Sequence, residues 1–284
     1  MTEEKLQNDW IAKIRGYFST QDWIIILLLA VIAFATGNYG LAYILPGGPG
    51  GGFAHGFLKM PGPGAGIFLT SAFICLWLVL GVLLIKKPGT AIAISILITV
   101  IMLVLGLIIT GFLVHNNPEF SEYSFPLESQ TLLVLVAIII DGAGLLPLEK
   151  KPWQYIFPPF IGIMGIITLA LWLTGNAKMG ENGAASTVFP LGYVVCGILA
   201  LGFAVICWSY PMKYVVGAGF AEMFYITFCW LFNGKSGFAT WVPVTPAIPP
   251  LLTFALVSGA FMAILAYLVY MLWNTYAGQG AAKV

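Results

Sequence analysis

Charge is what this sequence lacks most. Only 8% of its 284 residues are Asp, Glu, Lys or Arg, against roughly 25% in an ordinary soluble domain. Apolar residues make up 60% of the chain, and a soluble globule of this size has no means of burying that much surface. The deficit excludes a soluble enzyme, a nucleic-acid-binding protein and a disordered chain, and it leaves a polytopic membrane protein. Histidine is scarcer still, with His55 and His115 alone. A three-histidine zinc or copper site is therefore impossible. A bis-histidine haem pair would need both residues on helices, and His55 stands in a glycine-rich loop. Cys75, Cys196, Cys207 and Cys229 all lie inside apolar runs with no CxxC pair. They read as small core residues rather than disulfides or metal ligands. Neither GxSxG nor a Ser-His-Asp set is present. The expectation is a chain with no cofactor and no catalysis of its own.

What is present is a series of long apolar runs. Eight have membrane length, at about 23–45, 66–85, 90–114, 130–148, 154–174, 189–209, 213–233 and 249–273. A crossing needs about 20 helical residues, and the runs are continuous rather than alternating, so helices are predicted and not a barrel. With the N-terminus in the cytoplasm, Lys5, Lys13, Arg15, Lys86, Lys87, Lys150, Lys151, Lys213 and Lys283 face inward. Lys59, Lys178 and Lys235 alone face outward, a nine-to-three positive-inside bias. Both termini are then cytoplasmic and the protein is a multi-pass component of the cell membrane. Residues 1–22 read as an interfacial segment with Leu6, Trp10, Ile14 and Phe18 on one face, residues 23–273 as a single transmembrane domain, and 274–284 as a cytoplasmic tail. Ser19-Thr20-Gln21-Asp22 offers a capping box for the first span. Trp23, Trp153, Tyr155 and Trp273 read as belts at the membrane surfaces.

The inward turns carry proline, and each proline precedes a glycine by 23 residues: Pro88 and Gly111, Pro152 and Gly175, Pro211 and Gly234. That spacing makes about 34 Å of helix. It predicts an all-α bundle of about eight spans, built as three tandem helical hairpins (spans 2–3, 4–5 and 6–7) flanked by one span on each side.

Chemistry has few places to reside. Glu222 falls near the middle of span 7, where Ala218, Gly219 and Tyr225 share its helical face. A carboxyl group at that depth is costly unless paired, hydrated or protonated, so its small-residue face should turn into the bundle. It reads either as a site for a substrate cation or proton, or as a protonated acid bonded to a neighbouring helix. Asp141, beside Gly142 and Gly144 near the inner end of span 4, reads as a bond to a helix end before it reads as a ligand. Asn38 lies in the outer half of span 1. The outer loop 46–66 has 13 Gly or Pro among 21 residues, yet its other members are largely apolar. It reads as a lid carrying Phe53, Phe57, Lys59 and Met60, with His55 at its tip. Candidate substrate-binding residues are thus Glu222, Tyr225, Asp141, Asn38 and His55.

The stretch Gly62 to Gly106 resembles part of an energy-coupling-factor transporter substrate-binding (S) component of the thiamine-precursor type. The resemblance is carried by Gly62-Pro63-Gly64 after span 1 and by Lys87-Pro88-Gly89-Thr90-Ala91 between spans. It covers about one-sixth of the chain and implies a transport subunit that docks to a transmembrane partner. The family usually has six spans and an AxxxA docking motif, where this chain has Ala30, Ala33 and Ala35 with Gly37.

The composite expectation is a membrane subunit that binds or carries a small molecule beneath the outer loop. The alternative is a non-catalytic subunit of a larger membrane complex, of respiratory or monooxygenase type. Expected partners are the lipid bilayer, other membrane subunits and a small-molecule substrate, but no nucleic acid.

Overall fold

A computed structural model of the protein describes residues 16–36, 64–116, 127–146, 151–174, 190–209, 212–232 and 248–281. Among them the chain is entirely helical. The eight long helices are α1 (Thr20–Phe34), α2 (Gly64–Ile85), α3 (Thr90–Asn116), α4 (Leu127–Leu145), α5 (Phe157–Leu173), α6 (Pro190–Ser209), α7 (Lys213–Phe232) and α8 (Ile248–Ala281). A single helical turn, Lys151–Gln154, precedes α5. One helix for each apolar run follows from the continuity of the runs. Local chemistry sets several starts. Ser19 and Asp22 cap each other's backbone ahead of α1, and a proline opens α6 and stands in the first turn of α5 and α8, where a missing N–H costs nothing.

Three boundaries differ from expectation. α2 begins at Gly64, inside the segment assigned to the outer loop. α3 runs to Asn116, two residues past the expected end of its run at 114, and it passes Gly111 because one glycine weakens a helix by only about 1 kcal/mol. α8 continues to Ala281, through most of the residues expected as a tail, and at 34 residues it is about 51 Å long. Within it, Leu252–Tyr276 is long and apolar enough to cross a membrane by length and composition.

The core sits around α8, which packs on α2, α5, α6 and α7; α7 also meets α4 and α2, and α1 meets α2 and α3. This is not the expected set of tandem hairpins. α2 and α3 do pack together, but among the described residues α4 and α5 barely touch, and neither do α6 and α7. Instead α5 lies against α6 and α7 against α8. Glycines select these neighbours. A Cβ on Gly165 of α5 would stand 2.9 Å from the Gly197 carbonyl oxygen of α6. A Cβ on Gly217 of α7 would stand 2.5 Å from the Ala143 Cβ of α4. One on Gly259 of α8 would strike the Ala218 carbonyl of α7. Absent side chains let the backbones approach closely, as small residues do wherever apolar helices pair. Thr168 of α5 and Thr253 of α8 add a buried hydroxyl link at 2.8 Å.

One end of the bundle is tied by polar contacts. The Lys87 ammonium donates to the Tyr17 carbonyl and to Asp22 Oδ2, and the Tyr17 hydroxyl donates to the Pro88 carbonyl. The Lys87 bond, with the Ser19 backbone N–H, holds the Asp22 carboxyl below its ordinary range. The start of α1 and the α2–α3 turn therefore share one end. The outer faces of the helices are largely apolar there and beyond, with Ile24, Leu28, Ile163, Ile198, Val205 and Leu272 all more than half exposed.

Candidate functional site

Glu222 is fully buried at the junction of α2, α7 and α8. Its helical face is made of Ala218, Gly219 and Tyr225, as the i−4, i−3 and i+3 spacing dictates, and all three are buried too. On the α8 side, Gly259 offers no side chain, and a Cβ there would press on Glu222 Cγ. On the α2 side, the Cys75 thiol donates to Glu222 Oε1 at 3.1 Å. Small residues thus bring three helices close enough to enclose one carboxyl group. A buried carboxyl needs hydrogen-bond partners or a proton to be tolerated, and Cys75 supplies one such partner. The arrangement is suited to holding, accepting or releasing a proton in dry surroundings.

Asp141 does different work. It is buried in α4, and its two oxygens accept from the first turn of α3: Oδ1 from Ala91 N–H at 3.3 Å and Oδ2 from Ile92 N–H at 3.0 Å. Pro88 and Gly89 precede α3 and have no side-chain oxygen to offer as a cap. The carboxylate of another helix fills that role, 50 residues along the chain. It satisfies amides that a helix start leaves open, and it places negative charge where the helix dipole favours it. Asp141 is accordingly a bond to a helix end and does not join Glu222. Asn38, His55, Phe53, Phe57, Lys59 and Met60 all lie outside the described residues.

Two features escaped the sequence reading. Cys75 was legible only as a small core residue, and its bond to Glu222 spans 147 positions. The second is a cavity of about 420 Å3 at the end of the bundle where Asp22 and Lys87 meet, bordered by four helices and the α2–α3 turn, with its lysines and tyrosines supplied by the turn, α7 and α8. The signal for it was the inward lysines, used there only to orient the chain. No family model, no curated protein and no solved structure matches this chain.

Proposed function

We propose that this chain is a multi-pass integral membrane subunit that binds or carries a small solute, with both termini in the cytoplasm and Glu222 as the ionisable group at its centre. The observation that carries the reading is the enclosure of that carboxyl by α2, α7 and α8. Ionisable groups within such bundles are rare and expensive, and they mark proton, ion or substrate paths. The apolar outer faces of α1, α5, α6 and α8 support the membrane setting, since exposed leucine and isoleucine on this scale suit lipid and not water. The likeness of Gly62–Gly106 to S components fits the same reading. So does the gathering of the start of α1, the Lys86–Lys87 turn and Lys213 at one end of the bundle.

Orientation is checked by labelling introduced cysteines with a membrane-impermeant reagent in intact cells. Cys75, Cys196 and Cys207 are buried, and Cys229 is replaced by serine beforehand. Positions 118 and 180 should label from outside and position 87 should not. Outside labelling of position 87 refutes the topology.

Function is checked by purifying the full chain in mild detergent and identifying the small molecules and chains retained with it. Glu222→Gln preserves shape and hydrogen bonding but removes the ionisable proton. It should leave the melting temperature within a few degrees and abolish retention or uptake of the solute. Unchanged uptake would assign Glu222 a structural role.

A second reading has its own support. Residues Met271 to Tyr276 of α8 are exposed on every side, so no helix of this chain accompanies those turns among the described residues. That favours a subunit of a larger membrane complex. Co-purification of a stoichiometric partner chain, with no solute, would decide for it.

A further inference from the structure

The cavity at the lysine-rich end has no part in the Glu222 site. Its walls bring Lys86 and Lys87 from the α2–α3 turn to Lys213 at the start of α7, with Tyr214, Tyr267 and Tyr270 between them. Lys213 lies 126 positions beyond Lys87, so the fold and not local sequence brings it to the turn lysines. Among the described residues, two of the three have no carboxylate partner. Lys213 Nζ donates to the Gly144 carbonyl, a neutral group at the end of α4. Lys86 Nζ stands 5.8 Å from the Tyr270 ring centroid, another neutral partner. Among the described residues only Lys87 is paired with a carboxylate, that of Asp22. Asp141 also borders the cavity, but both its oxygens are turned to the α3 amides.

The backbone at Lys86 is unusual. Its φ of 57° makes it a non-glycine residue in the left-handed region, a disfavoured conformation that persists where surroundings impose it. Gly89, three residues on at φ 83°, takes the same region without strain. The turn thus keeps a lysine, rather than a glycine, where it reaches the cavity. Leu145 forms part of the rim and is 71% exposed. Cationic groups thus share the cavity with apolar walls and open directly onto apolar surface.

We propose that this cavity binds a phosphate group, with Lys86 and Lys213 as its cationic ligands and the tyrosine hydroxyls as further donors. The apolar rim fits the phosphate of an anionic phospholipid, whose acyl chains would run along Leu145. Basic pockets between helices at the cytoplasmic side suit such headgroups. The lipid source rests on the membrane reading above, whereas the phosphate chemistry does not.

The test uses the full chain in mild detergent, stripped of lipid. Binding is followed by native mass spectrometry and by thermal melting on adding phosphatidylglycerol, phosphatidylcholine or inorganic phosphate. Phosphatidylglycerol should bind and raise the melting temperature, phosphatidylcholine should not, and high salt should weaken the effect. Lys86→Gln and Lys213→Gln should each weaken phosphatidylglycerol binding by roughly fivefold, and the double variant by more than tenfold. Lys86→Arg should retain it, and Lys178→Gln, on the opposite side in the proposed topology, should change nothing. Equal protection by inorganic phosphate at similar concentration would keep the phosphate site and overturn the lipid source. Equal binding of both lipids, or binding unaffected by removing Lys86 and Lys213, would overturn the proposal. If Lys213→Gln fails to fold, Lys86→Gln alone decides, because that side chain is exposed. Loss of phosphatidylglycerol binding leaves the Glu222 reading intact, since Glu222 does not line the cavity.

Discussion

Gly259→Val should be among the most damaging single changes in the described bundle, lowering the melting temperature in detergent by roughly 10 °C or preventing a folded preparation. At this position even a methyl group would meet the Ala218 backbone and Glu222 Cγ. Backbone cannot move aside as a flexible side chain can, so α7 and α8 must separate. Overpacking a tight core costs about 1–3 kcal/mol and occasionally more, and here the wedge enters between the central helix and the helix that carries the buried carboxyl. Gly142→Ala and Gly202→Ala are the controls. A Cβ at either would meet nothing within 4 Å, and alanine is the better helix former by about 1 kcal/mol. Both should be neutral or stabilising. A Gly259→Val protein that melts with the parent would show that α7 and α8 are not held at this distance.

Asp141→Ala should be nearly as severe, at roughly 2–4 kcal/mol, because two amides lose their acceptor together. An unmade buried hydrogen bond costs about 1–3 kcal/mol, and the helix-dipole contribution is lost as well. Asp141→Asn should fall between, since it keeps one acceptor oxygen and presents an N–H group to the other amide. Hydrogen exchange separates this cause from general loosening. In Asp141→Ala the Ala91 and Ile92 amides should exchange much faster, while those in the middle of α5 and α6 keep their protection. Unchanged exchange at Ala91 and Ile92 would show that the cap is not used in solution.

The sequence made the helices legible because their signal is local. Unbroken apolar runs mark the elements, and Ser19 with Asp22 marks a start. Glu222 was legible as an inward residue because Ala218, Gly219 and Tyr225 lie within one turn of it, and Asp141 as a bond to a helix end because it stands near an inner turn. What was not legible is lateral. The Pro-to-Gly spacing measures how far a helix runs, but it carries no information about which helix lies beside it. That choice is made by pairs such as Gly165 with Gly197 and Gly217 with Ala143, whose members are far apart in sequence. Glycine is also too common here, at 33 residues, for such pairs to stand out. Cys75 and the lysine cavity were hidden for the same reason, since each exists only once distant turns have met.

The cap that Asp141 supplies to α3 also has a place in time. A ribosome adds about 5–20 residues each second. The Ala91 and Ile92 amides are made 50 and 49 residues before their acceptor, so they wait roughly 2.5–10 s for it. Until then the beginning of α3 must find its hydrogen bonds in water. It gains a lasting partner only when α4 has been made and has returned to the same end of the bundle. On the membrane reading, α3 and α4 would be released from the insertion machinery as a pair, and a chain halted between residues 116 and 141 would leave the start of α3 without its cap.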